Sequence, residues 1–283
     1  MAGPLDGVRI IDFTTMIAGP YCAMILADQG ADVIKIEEPI PSAGTRGDGQ
    51  GQRNFSAAFL NNNRNKRSLS VDVKTDAGRD LMLKLTQDAD VFIQNYRPGV
   101  MARLGIDEPQ LRTPNPRLIY VSMSGWGESG PYAHKPVYDP IIQALSGLTS
   151  VQGGSDQVRP RLIRTILPDK LTGITAAQAV TAALVSRGVT GQGQHVRLSM
   201  LDAVVAFMWS SDMGGQTFVG KEVNSARAAS SIDLIYETKS DYISLSVMSD
   251  KQWRGLCGAV GHPEWLEDER FTTAAGRDRY VNE

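Results

Sequence analysis

Chemistry in this chain has to come from carboxylates, tyrosines, lysines and backbone donors. The three histidines, His134, His195 and His262, stand far apart, as do the two cysteines, Cys22 and Cys257. Neither HxxxH nor CxxC spacing occurs, so no metal site is expected. Among the carboxylates, one has an unusual setting. The stretch RTILPDKLTG (164–173) puts a lone acid, Asp169, directly behind a proline and ahead of the small-residue helical pattern ITAAQAVTAALVSR. Two readings are open. Asp is favoured at helix N-termini, where satisfying free N–H groups contributes roughly 1 kcal/mol. The functional reading uses the same physics. A carboxylate at the positive end of a helix is pushed below its reference pKa of about 3.9, stays ionised at pH 7, and can attack an activated acyl group.

The cations suggest an anionic ligand. Arg64, Lys66, Arg67 and Lys74 cluster in NNNRNKRSLSVDVK (61–74), and QNYRPGVMARLG (94–105) adds Arg97 and Arg103. Guanidinium forks match phosphate oxygens and lysine offers a point charge, so the group suits a phosphorylated ligand; a solvated charge run is the alternative. Together they predict one basic face at the strand ends of an α/β sheet, where ligands of such sheets bind. The segment TTMIAGP, between an apolar run and a helical pattern, is a candidate anion loop or an ordinary turn. It is not GxGxxG, so a nicotinamide dehydrogenase lacks its fingerprint. Arg161 and Arg164, close before Asp169, could pair with an anionic group of a ligand, or could be surface charges.

These residues need a scaffold, and the first half of the chain alternates strand and helix patterns. VRIIDF (8–13), DVIKIEE (32–38), SLSVDVK (68–74), DVFIQNY (90–96), RLIYVSMSGWG (117–127) and GQHVRLSM (193–200) read as strands. Helices fall between them, with Pro20 in a first turn, Gly30 as a stop and Thr75 as a cap. YDPIIQALSGLTSV, TGITAAQAVTAALVSR and LDAVVAFMWSSDM read as further helices. The fold class is α/β, a doubly wound parallel sheet. From about residue 225 the texture changes to two strands joined at TKSD and a helix capped by Ser249 and stopped by Gly261. A large domain at 1–224 and a smaller α+β domain at 225–283 are expected. The segment GKEVNSARAASSID between them is poor in glycine, and no lid is assigned to it.

Bulk properties narrow the partners. The 283 residues carry a net charge of −2, with 42% hydrophobic residues, so no basic field points to nucleic acid. No apolar run approaches the roughly 18 residues of a membrane span. The start, MAGPLDGVRIIDF, has no signal-peptide pattern, and two distant cysteines suit a reducing compartment, so a cytoplasmic location is expected.

Several segments, taken in order, carry a resemblance. DGVRIIDFTTMIAGPYCAMILADQGADVIKIEEP, NRNKRSLSVDVKT, DVFIQNYRPGVMARLG, RLIYVSMSGWGESGPY, VYDPIIQALSGL, PDKLTG and TGQGQHVRLSMLDA resemble the class III coenzyme A transferases, the CaiB/BaiF type that includes formyl-CoA transferase. The resemblance implies a Rossmann-like large domain, a small domain and an interlocked homodimer. It implies no tightly bound cofactor, with an acyl-CoA thioester and a carboxylic acid as substrates. It implies that Asp169 is a nucleophile passing through an acyl-aspartyl anhydride and an aspartyl-CoA thioester, with Tyr138 close to the active site. CoA contacts carry over to Ile17 and Ala18, to Val71, Asp72, Val73 and Lys74 on a strand, to Asn95, Tyr96 and Arg97, and to Arg103. Two departures stand out. Glu38 replaces the arginine that follows IKIE in formyl-CoA transferase, and the substantial C-terminal segment usual in the family does not follow. The related α-methylacyl-CoA racemase would need a histidine where VYDP has Tyr138. A CoA-binding but inactive subunit is the remaining alternative.

Overall fold

Apolar runs bounded by turn residues form the strands of one sheet. The structure, a computed structural model, describes residues 3–39, 46, 55–154, 158–222 and 234–280. In chain order the first elements are Arg9–Phe13 (β1), Ala18–Asp28 (α1), Asp32–Glu37 (β2), Ala57–Asn62 (α2), Lys66–Ser70 (β3) and Asp76–Gln87 (α3). Val91–Gln94 (β4), Val100–Leu104 (α4), Glu108–Arg112 (α5) and Ile119–Ser124 (β5) follow. Then come Asp139–Leu145 (α6), Leu148–Gly153 (α7), Leu167–Thr190 (α8), His195–Ser199 (β6) and Met200–Trp209 (α9). The six strands make one sheet in the order β3-β2-β1-β4-β5-β6, and every neighbouring pair is parallel. The strand order reverses between β1 and β4, the switch point of a doubly wound sheet.

Alternate residues of each strand feed opposite faces, and the central strands β1, β4 and β5 are buried along almost their whole length. Ile10, Val91, Ile93, Ile119 and Val121 pack against Cys22, Ala23 and Leu26 of α1 and Ala176, Ala177 and Val180 of α8. On the other face, Ile11, Phe92 and Tyr120 pack against Met82 of α3, Met101 of α4 and Leu111 of α5. Thr75 caps α3 by accepting from the Gly78 N–H at 3.1 Å.

Three expectations need correction. The strand placed at 68–74 runs instead over Lys66–Ser70. Val71–Lys74 form the turn into α3, in which the Asp72 carboxylate accepts from the Lys74 N–H and the Asp72 carbonyl from the Thr75 N–H. YDPIIQALSGLTSV is two helices, because Gly147 adopts φ 86° and reverses the chain between α6 and α7. The single basic face does not form. Arg64 and Arg67 lie beside the start of β3, at the amino ends of the strands. There Arg64 pairs with Asp28, and Arg67 pairs with Asp32 at 2.7 Å. Lys66 is buried on Asp12 at 2.9 Å.

Further along, Ile235–Glu237 (β7) and Tyr242–Ser244 (β8) pair as an antiparallel hairpin. Asp250–Val260 (α10) starts at a Ser249–Gln252 capping box and stops at Gly261, followed by Ala274–Arg279 (α11). Trp253, Trp265 and Phe271 pack as an aromatic cluster among these elements. The boundary placed at residues 224–225, and most of GKEVNSARAASSID, lie outside the described residues.

Candidate active site

Two loops leave the carboxyl ends of β1 and β4 at the switch point, and each is pinned. Asp12 and Lys35 are charged residues inside apolar strands, and the register pairs them side by side. Asp12 accepts from the Thr14 N–H at 3.1 Å and from its hydroxyl at 2.5 Å, while Lys35 Nζ donates to the Thr14 carbonyl at 2.9 Å. Lys66 Nζ completes the buried cluster by donating to Asp12 and to the Pro20 carbonyl. Burial alone would raise the Asp12 pKa, but Lys35, Lys66 and the Thr14 hydroxyl hold it below the usual carboxylate value. Asn95 ties the second loop to the first, accepting from the Thr15 N–H at 2.9 Å and donating to the Thr15 carbonyl at 2.8 Å. Met16 then takes φ 64°, a left-handed conformation rare for a side chain of its size, and the chain turns into α1.

Helix α8 carries Asp169 to this loop. Asp169 is in the first turn of α8, behind Pro168, and Gly173 lies one turn further on the same face. A Cβ on Gly173 would meet the Ala18 carbonyl at 2.8 Å and the Tyr21 ring at 2.9 Å, so α1 and α8 cross with almost no separation. The approach brings the Ala18 N–H to Asp169 Oδ1 at 3.3 Å. From the other side comes Asp139, buried at the start of α6, whose Oδ2 accepts from the Asp169 N–H at 3.3 Å. Gln143, one turn on and also buried, donates to Asp139 Oδ1 at 2.7 Å.

The setting reverses the expected electrostatics. Burial, reinforced by the Asp139 carboxylate and only partly offset by the Ala18 N–H, pushes the Asp169 pKa up to about 6. The helix end alone would have lowered it; desolvation and a like charge outweigh that local effect. At pH 7 the group is still mostly ionised, and it is a stronger base than an ordinary aspartate.

Asp169 opens into a cleft of about 690 Å³, a size suited to a small-molecule ligand. Ile17, Ala18, Asn95, Tyr96, Arg97 and Tyr138 line the same cleft, so these candidates and Asp169 come together. Tyr96 stacks on Phe13 at 5.2 Å, and burial pushes its phenol up to about 12. Tyr138 is 67% exposed and precedes Asp139 at the rim. Val71, Asp72, Val73, Lys74 and Arg103 are not part of the lining. Val71 and Val73 are buried in the core, Lys74 sits outside near Glu38 at 3.9 Å, and Arg103 rests over Gly99 on α4. Sequence reasoning missed Asp139, Gln143 and Lys135, all in the wall. An acid followed by proline opening a helix was the signal for Asp139; Lys135 gave none. Of the two arginines before Asp169, Arg164 lines the cleft and Arg161 does not. Among the described residues no three His, Cys, Asp or Glu side chains gather as a metal site.

A family model for CoA-transferase family III matches residues 5–283. This chain belongs to that family. The succinate–glutarate CoA-transferase of Agrobacterium fabrum is 36% identical over 283 residues, covering 97% of this chain and 70% of the relative. The acetyl-CoA:oxalate CoA-transferase of Acetobacter aceti is 36% identical over 286 residues, covering 99% and 72%. A CaiB/BaiF family protein from Brucella suis has a solved structure that matches with a TM-score of 0.83 at 31% identity, over 100% of this chain and 76% of that one. Family membership makes the chain a CoA-transferase-type enzyme.

Proposed function

We propose that the chain moves coenzyme A from an acyl-CoA donor to a carboxylic acid, with Asp169 as covalent carrier. One observation carries the reading: Asp169 faces a cleft between two pinned loops, mostly ionised but stripped of part of its hydration. A carboxylate oxygen of Asp169 attacks the thioester carbonyl, the C–S bond breaks, and CoA leaves as thiolate. The thiolate then attacks the aspartyl carbonyl of the anhydride and releases the donor acid. The product is an aspartyl-CoA thioester. The acceptor carboxylate attacks that thioester and again releases CoA thiolate. Finally the thiolate takes the acceptor acyl carbon from the second anhydride and frees Asp169.

The steps are uphill for a carboxylate nucleophile. Holding the thioester against Asp169 can supply roughly 7–11 kcal/mol through effective molarity. A backbone donor placed at the tetrahedral oxygen adds about 3–4 kcal/mol. Ile17, Ala18, Asn95, Tyr96 and Arg97 are the candidate CoA contacts within the cleft. Val71, Asp72, Val73, Lys74 and Arg103 would serve CoA from outside it. Lys74 would then have to choose between Glu38 and a phosphate. Exposed Val185 and Val189 of α8 and Phe207 of α9 support a homodimer, since such apolar side chains seek cover.

The test is incubation with acyl-CoA followed by mass spectrometry of the peptide that holds Asp169. An acyl or CoA adduct there is expected, and it should vanish in Asp169→Ala together with transfer. Turnover retained by that variant ends the assignment. Wild-type protein that binds CoA but gives neither adduct nor transfer would instead be a binding subunit. Solvent deuterium entering the α-carbon would indicate a racemase, for which Tyr138 offers no imidazole base.

A further inference from the structure

The cleft holds two more cations besides Arg97, and they come from different segments of the chain. Arg97 follows β4, whereas Lys135 precedes α6 and Arg164 lies between α7 and α8. Arg164 has no carboxylate partner among the described residues. Its backbone, however, is fixed on both sides. The Ile163 N–H donates to Gln143 Oε1 at 2.9 Å, and Gln143 Nε2 reaches the Ile163 and Thr165 carbonyls at 3.4 and 3.3 Å. Lys170 holds the Thr165 hydroxyl at 2.8 Å. Gln143 is also the side chain that orients Asp139, which in turn bonds the Asp169 backbone. One buried amide therefore fixes the backbone that carries the exposed Arg164 side chain relative to Asp169. Lys135 is held differently, its exposed ammonium lying 4.1 Å from the centre of the Tyr132 ring.

We infer that Arg164, assisted by Lys135, forms an anion subsite for the distal carboxylate of a dicarboxylic acid acceptor. The inference rests on the proposed transfer at Asp169 and adds the class of acid that enters. One carboxylate of such an acceptor has to meet the aspartyl thioester. The other needs a cation nearby, or it would stand uncompensated beside Asp139 and Asp169. Leu162, Ile166 and Tyr138 line the cleft with these cations and offer apolar surface to a methylene spacer. A CoA phosphate is the other anion that could seek Arg164. The pantetheine arm keeps those phosphates away from the thioester, while Gln143 ties the backbone on either side of Arg164 to Asp139, next to Asp169. A guanidinium also accepts a carboxylate bidentately, which gives the subsite orientation as well as charge.

Equilibrium binding of glutarate, pentanoate and CoA to the whole protein tests this without needing turnover. The wild type should bind glutarate at least about 10-fold more tightly than pentanoate. Arg164→Gln should weaken glutarate about 10- to 100-fold and leave pentanoate and CoA within about twofold; Lys135→Gln should do the same more weakly, and Arg164→Lys should restore part of the loss. Equal losses for glutarate and pentanoate, no loss for glutarate, or weakened CoA in its place would each overturn the subsite. Because these are affinities, they separate from the adduct experiment. A missing Asp169 adduct with intact glutarate discrimination removes the covalent mechanism alone. An adduct with no discrimination removes the subsite alone.

Discussion

Two acids, Asp12 buried inside β1 and Asp169 half-buried at the start of α8, have opposite fates. Asp12 is surrounded by Lys35, Lys66 and the Thr14 hydroxyl, and its pKa is held down. Asp169 is met by a backbone N–H and by another carboxylate, and its pKa is driven up. On the proposed mechanism, the contrast separates scaffolding from chemistry. The Asp12 cluster satisfies its charges and uses them to fix the loop that presents Ala18. The Asp169 site leaves its charge poorly compensated, and a poorly compensated carboxylate is both costly to fold and ready to react.

The largest effect should come from breaking the satisfied cluster. Asp12→Ala strands two buried ammonium groups, and unfolding free energy by urea titration should fall by about 3–5 kcal/mol. A loss below about 1 kcal/mol would mean that the two lysines find water or another anion, and that the cluster does not hold the loop. The sign of the pH dependence follows from the depressed pKa. The stabilisation from Asp12 is present above the unfolded carboxylate value and disappears as pH falls below it, through the lower folded value.

Asp169→Asn should act in the opposite direction on stability. The folded pKa of about 6 lies above the unfolded value of about 3.9, so between these values the folded protein holds a proton that the unfolded chain has lost. Stability therefore falls as pH rises through that window, and at pH 7 the ionised side chain costs about 2–3 kcal/mol. The neutral amide removes that cost. A gain of about 1–3 kcal/mol at pH 7, shrinking toward zero near pH 4, is expected from urea titrations at the two pH values, together with complete loss of transfer. Equal stability of variant and wild type at both pH values would show that Asp169 is better solvated than its contacts indicate.

How much of this was legible beforehand depends on the range of the forces. The strands and the doubly wound order follow from short apolar runs separated by helical patterns. Gly30, Thr75, Ser249 and Gly261 act locally, and each stands where its chemistry predicts. The proline–acid start of α8 also reads directly. The direction of the Asp169 shift did not, because a helix-end argument sees only α8. The opposing terms arrive from α1 and α6, which no local pattern links to it. The basic run 64–67 misled for the same reason. Its charge is plain in sequence, but only the register of β2 against β3 shows that Arg67 meets Asp32 at the amino edge of the sheet. Asp12 and Lys35 were better signposted: a charge inside an apolar strand has to find a partner, and they sit opposite each other.

The smallest predicted effect sharpens the contrast most. Asp139→Asn keeps an oxygen that can accept from the Asp169 N–H; it removes the like charge and, with its NH2 turned to Gln143, also the 2.7 Å bond from that side chain. Of the two influences that raise Asp169, burial is the larger and Asp139 the second, so the variant should lower the Asp169 pKa without returning it to the ordinary value. Transfer that depends on ionised Asp169 should show an acid limb in kcat/KM near pH 6 in the wild type. In Asp139→Asn that limb should move down, by up to about one unit, with the plateau rate lowered because the carboxylate is a weaker base. A limb that stays in place would assign the raised pKa to desolvation alone. A limb that moves up would mean that Asp139 stabilises the ionised form, and the pairing of two acids would lose its explanation as the source of reactivity.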